Sequence, residues 1–111
     1  MEAYERQIEY YETESGEQPF RNWLLSLKDK EYKRRILIQI NRIRVGNLGN
    51  CKSVGEGVME LKINFGPGYR IYFGQIENKI VILLNGGDKS SQKTDIKVAK
   101  TYWANYRRSY E

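Results

Sequence analysis

The chain has 111 residues, 40% hydrophobic and 30% charged, and its nineteen Lys and Arg against fourteen Asp and Glu give a net charge of +5. That length suits one domain spanning 1–111, and the composition excludes both a disordered polypeptide and a membrane bundle. One cysteine and no histidine exclude an internal disulfide, the usual zinc sites and every Ser-His or Cys-His nucleophile, so an acid or base near neutral pH has to be Lys, Asp, Glu or Tyr.

Residues 2–17 carry six glutamates against Arg6, a net −5 that leaves +10 on the rest of the chain. Within them, Tyr4 to Thr13 sets Tyr4, Ile8 and Tyr10 on one parity and Glu5, Gln7 and Glu9 on the other, which predicts a half-buried edge strand. Ser15-Gly16 turns the chain, Pro19 suits a first helical turn, and Phe20, Trp23, Leu24 and Leu27 recur at helical spacing. A second helix is predicted from Lys30 to Val45, with Tyr32, Ile36, Ile40 and Ile43 as its apolar stripe and Gly46-Asn47 as its stop. Residues 46–57, rich in Gly and Asn, read as a connection. Met59, Leu61, Ile63 and Phe65 then alternate with Glu60, Lys62 and Asn64, and Tyr69, Ile71 and Phe73 with Arg70, Tyr72 and Gly74. With Gly66-Pro67-Gly68 between them, the two runs predict a hairpin. Lys79 to Asn85 is an aliphatic strand ended by Gly86-Gly87. A last helix follows, capped by Ser90 or Ser91, with Ile96, Ala99, Trp103 and Tyr106 as its stripe. The order is β-α-α-β-β-β-α, an α+β fold. The longest aliphatic run, Ile80 to Leu84, falls far short of the roughly 20 residues that span a bilayer. No export signal is read at the start, so a cytoplasmic location is expected.

A tight hairpin turn puts Lys62 opposite Arg70 and Glu60 opposite Tyr72, with all four side chains on one face. Like charges directly opposite on a sheet cost up to about 1 kcal/mol, a cost that a bound phosphate would offset. A solvated face with the basic side chains spread apart fits the same pattern, and the residues leave both readings open. On that face Tyr72 could stack on a base or position a phosphate. Beyond Gly86-Gly87, the segment Asp88-Lys89-Ser90-Ser91-Gln92 either binds an anion with its amides and Lys89 or is an ordinary capping loop. Lys93, Lys97 and Lys100 fall at i, i+4 and i+7, as a solvated face does and as a face tracking a nucleic-acid backbone does. Cys51 is given no role.

Several ordered blocks resemble one family. Gly57-Val58-Met59-Glu60-Leu61-Lys62-Ile63, Gly66-Pro67-Gly68-Tyr69-Arg70-Ile71-Tyr72-Phe73 and Leu83-Leu84-Asn85-Gly86-Gly87-Asp88-Lys89-Ser90-Ser91-Gln92-Lys93-Thr94-Asp95-Ile96 are similar to the RelE/ParE toxin superfamily, in its HigB-like addiction module killer protein branch. So are Glu14-Ser15-Gly16 with Pro19-Phe20 and Trp23-Leu24, Arg42-Ile43-Arg44 with Gly46-Asn47, and Ala99-Lys100 with Tyr102-Trp103. The resemblance implies a small antiparallel sheet packed on two N-terminal helices, with a C-terminal helix. It implies a toxin that cleaves mRNA on the ribosome without metal or cofactor, and an antitoxin partner of helix-turn-helix, HigA-like type. Its working cations match Lys62, Arg70 and Lys89. Glu60 stands where relatives often have a second basic residue, and Asp95 near the place where some carry a catalytic Tyr.

The expected mechanism has Arg70 stabilising the transition state, Lys62 or Glu60 accepting the proton, and Lys89 donating it or neutralising charge. Tyr72, Gln92, Lys93, Lys97 and Lys100 are the candidate RNA contacts. Two rival readings are a ParE-like inhibitor of DNA gyrase without nuclease activity, and a toxin-fold binding module without activity.

Overall fold

The computed structural model describes residues 5–110. Strand β1 (Gln7–Tyr10) is followed by helices α1 (Pro19–Ser26) and α2 (Lys30–Arg44). Strands β2 (Cys51–Gly55), β3 (Val58–Lys62), β4 (Arg70–Ile76) and β5 (Ile80–Gly87) come next, then a single 3₁₀ turn (Lys89–Ser91) and helix α3 (Gln92–Tyr110). The sheet order is β1-β5-β4-β3-β2.

Local chemistry sets the helix limits. Pro19 opens α1, where a missing N–H costs nothing. The Asp29 carboxylate accepts from the amides of Glu31 and Tyr32 to cap α2. Gly46, at φ 96°, ends that helix with its own N–H on Ile43 O and the Asn47 N–H on Arg42 O, the paired bonds of a Schellman stop.

The order contains one strand more than the sequence pattern predicts. β2 arises inside the segment read as a connection, because Glu56 and Gly57, both at positive φ, turn the chain back into β3. Its small and polar residues hid the strand. The sheet is antiparallel across β2, β3, β4 and β5, but β1 lies parallel to β5 at the edge. Of the predicted first strand, Tyr4 lies outside the described residues, and pairing is confined to Gln7–Tyr10.

Both faces of the sheet are covered. On one, Phe20, Leu24, Ile36, Ile40 and Ile43 of α1 and α2 pack on Leu61, Ile71, Phe73, Val81 and Leu83. On the other, Ala99 and Trp103 of α3 pack on Val58, Tyr72, Ile82 and Leu84. On each face one indole lies flat on a strand glycine. A Cβ at Gly74 would come 2.4 Å from the Trp103 ring, and one at Gly86 would come 2.4 Å from Trp23. Among the described residues no helix is long and apolar enough to cross a membrane.

Candidate functional site

The end of β3 and the start of β4 bring the candidate residues together. Lys62 pairs with Arg70 and Glu60 with Tyr72, in the register that the alternation requires. Arg70 also pairs with Gly87 of β5, and Lys52 of β2 pairs with Glu60. A polar cleft of about 200 Å³ opens here, lined by Asn50, Lys52, Glu60, Lys62 and Arg70.

The floor of the cleft is a buried charge network. Glu60 is 2% exposed and Arg70 6%. Glu60 Oε2 accepts from Tyr72 OH at 3.1 Å and from Gln92 Nε2 at 2.9 Å. Arg70 Nε stands 3.8 Å from the same oxygen, too far for a hydrogen bond, and has no other hydrogen-bond partner. Arg70 Nη1 donates to Gly68 O at 2.6 Å. Lys52 Nζ, on an exposed side chain, lies 3.8 Å from Glu60 Oε1. Burial first, and then the Glu60 charge, pushes the Tyr72 phenol far above its ordinary pKa, so it stays a neutral donor. Deeper in, Asn85 Nδ2 donates to Asp95 O at 3.1 Å, and Ser91 Oγ donates to Asp95 Oδ2 at 2.5 Å.

Lys62 is exposed at the rim. Lys89 is exposed outside the cleft lining and neighbours Arg70 through Gly68: a Cβ at Gly68 would sit 3.3 Å from Arg70 Nη1 and 3.5 Å from Lys89 Cβ. The amides before α3 do not stand open to an anion. The Asp88 carboxylate takes the Ser90 N–H at 2.9 Å and the Ser90 hydroxyl, and that hydroxyl chiefly holds its pKa below the usual value. Asp88 caps the 3₁₀ turn that leads into α3.

Tyr72 does not stand on a solvated face. Its ring is fully buried beneath α3, so it cannot stack on a base as its parity suggested. Glu60 is likewise buried, with its Oε2 already accepting two hydrogen bonds. Gln92 is half-buried and committed to Glu60. Lys93 and Lys97 are exposed on α3. Lys97 and Lys100 line a separate shallow groove with Glu56 and Arg108, where Lys100 Nζ pairs with Glu56 at 3.3 Å. The sequence reading missed Asn50 and Lys52. Their signal was Gly55-Glu56-Gly57, a turn that folds Lys52 back onto Glu60. Among the described residues no three His, Cys, Asp or Glu side chains gather closely enough to hold a metal ion.

Residues 22–105 match the family model described as phage derived protein Gp49-like (DUF891). A protein of Haemophilus influenzae (strain ATCC 51907 / DSM 11121 / KW20 / Rd), described as uncharacterized, is 48% identical over 81 residues, which cover 73% of this chain and 82% of that relative.

Proposed function

The chain belongs to the phage-derived Gp49-like family, and from that premise we propose that it is the toxin of a toxin–antitoxin pair, a HigB-like member of the RelE/ParE superfamily that cleaves mRNA on the ribosome. The observation that carries this reading is the pairing of Arg70 with Lys62 directly across two strands, both lining one polar cleft. Two cations set side by side on a sheet favour a bound anion. A phosphodiester has the charge and geometry to bridge them.

The reaction needs no cofactor. The 2′-hydroxyl oxygen attacks the adjacent phosphorus and gives up its proton, while the bond from phosphorus to the 5′-oxygen breaks and that oxygen takes a proton. A cyclic phosphate and a 5′-hydroxyl result. Arg70 neutralises the charge that grows on the phosphorane oxygens. Lys62, exposed at the rim opposite Arg70, accepts the 2′-proton, and Lys89 supplies the proton to the leaving oxygen or neutralises its charge. Glu60 is assigned to Arg70 and not to proton abstraction, because Tyr72 and Gln92 already donate to Oε2. Lys93, Lys97 and Lys100 extend the basic surface along which RNA is held. The protein works in the cytoplasm, where its ribosomal target is, and is silenced by a HigA-like helix-turn-helix antitoxin.

Induction in growing cells tests the reading. The expected result is growth arrest with new transcript ends inside translated regions, relieved by co-expressing a HigA-like helix-turn-helix antitoxin. Intact transcripts with altered plasmid supercoiling would move the assignment to gyrase inhibition, and undisturbed growth would move it to a binding module.

A further inference from the structure

Helix α2 has two unlike faces. Ile36, Ile40 and Ile43 are buried against the sheet, while Leu37, Ile38 and Val45, just past the helix end, stand 50%, 37% and 51% exposed on the outer side. Helical geometry places these three within about 100° of arc, with Arg34 and Asn41 among them and Arg42 beside Ile38. Half of the six large apolar side chains that stand exposed among the described residues are gathered here. Helix propensity does not account for them, since Ile is a weaker helix former than the Lys, Gln or Glu that suit a solvated position. A contiguous apolar patch rimmed by polar residues marks an interaction surface.

The rim is cationic. Lys30, Lys33, Arg34, Arg35, Arg42 and Arg44 face the single carboxylate of Glu31 within α2, a net +5 that equals the net charge of the whole chain. A nucleic-acid backbone would neutralise those cations but leave the apolar centre in water. A protein helix with apolar side chains three or four residues apart and carboxylates flanking them satisfies both parts. We propose that the outer face of α2 is the docking surface for the antitoxin, which meets it with an acidic amphipathic helix. This inference rests on the toxin reading given above. The sheet stands between this surface and the cleft: α2 packs on the face of Leu61, Ile71 and Phe73, whereas Glu60, Lys62 and Arg70 lie on the other parity. A partner held on α2 therefore does not fill the cleft.

The test uses the full chain and the HigA-like antitoxin that relieves growth arrest in the induction experiment. Adding that antitoxin should shift the methyl NMR signals of Leu37, Ile38 and Val45 and leave the backbone amide signals of Lys62 and Arg70 in place. Leu37→Glu with Ile38→Glu sets carboxylates against carboxylates and removes the apolar centre, so the complex should weaken about 100-fold. This double variant should still arrest growth, and the antitoxin should no longer relieve the arrest. Arg42→Glu should weaken the complex about tenfold and make its affinity less sensitive to salt. Native-like affinity in both variants, with Lys62 and Arg70 signals moving in place of those on α2, would put the antitoxin in the cleft; that overturns the inference and leaves the toxin reading standing. A short single-stranded RNA that shifts the α2 methyl signals and displaces the antitoxin would give the face to nucleic acid and overturn it likewise. If no antitoxin relieves the arrest, the toxin reading falls and the inference with it. Should Leu37→Glu with Ile38→Glu fail to fold, Arg42→Glu decides alone, since it changes an exposed side chain.

Discussion

Two glutamate–arginine groups in this molecule have opposite geometries. On the exposed surface of α2, Glu31 closes on Arg34 Nη2 at 2.7 Å and Nε at 3.1 Å, and on Arg35 Nε at 3.2 Å. Inside the sheet, Glu60 and Arg70 stop at 3.8 Å. The solvated group is the tighter even though Arg34 and Arg35 share Glu31 Oε1, and in water such pairs contribute little. In the buried group the carboxylate takes its hydrogen bonds from Tyr72 and Gln92 and serves Arg70 as a counter-charge. The shorter distance therefore marks a helix surface, and the longer one a carboxylate held by neutral donors inside the fold.

The largest effect expected from this contrast is on Glu60→Gln. The change keeps an oxygen for Tyr72 and Gln92 but leaves Arg70 buried without its counter-charge, so the midpoint of urea unfolding should fall by the equivalent of about 3 kcal/mol. Replacing both partners with apolar residues of similar size, Glu60→Leu with Arg70→Met, should recover about 2 kcal/mol of that loss, since two apolar side chains leave no orphaned charge. A double variant as unstable as the sum of its parts would mean that the two charges are not coupled. Glu31→Gln should change stability at neutral pH least of all. Its signature lies in acid: the Arg34 hydrogen bonds, and then those of Arg35, hold the Glu31 carboxyl down at about 2 from an ordinary 4.5. Because the folded value is the lower one, the contribution is present above pH 4.5 and disappears as pH falls toward 2. The variant's stability curve should be flatter over that window, which acid titration followed by circular dichroism would register.

Much of this was legible in the residues. The Met59–Phe65 and Tyr69–Phe73 alternations around Gly66-Pro67-Gly68 were enough to pair Lys62 with Arg70 and Glu60 with Tyr72. The Ile96, Ala99, Trp103 and Tyr106 stripe correctly marked the inner face of α3. What escaped was the burial of the polar parity. Period-2 alternation separates two faces but does not say that both are covered, so Glu60, Arg70 and Tyr72 looked solvated. Two residues did hint at the cover: Gly74 and Tyr72 share that parity, and the α3 stripe needed a surface to lie on. β2 escaped because Cys51-Lys52-Ser53-Val54 has little bulk and its turn lies at Glu56-Gly57, and the parallel pairing of β1 with β5 is a long-range contact that leaves no local signal.

The most direct test of the central claim is cleavage of ribosome-bound mRNA by purified native protein and by Arg70→Ala, each first checked for folding by circular dichroism. The cleft reading predicts cleavage by the native chain and a loss of about 100- to 1,000-fold in the variant, the usual cost of removing one preorganised donor to a transition state. Undiminished cleavage by a folded Arg70→Ala protein would contradict it.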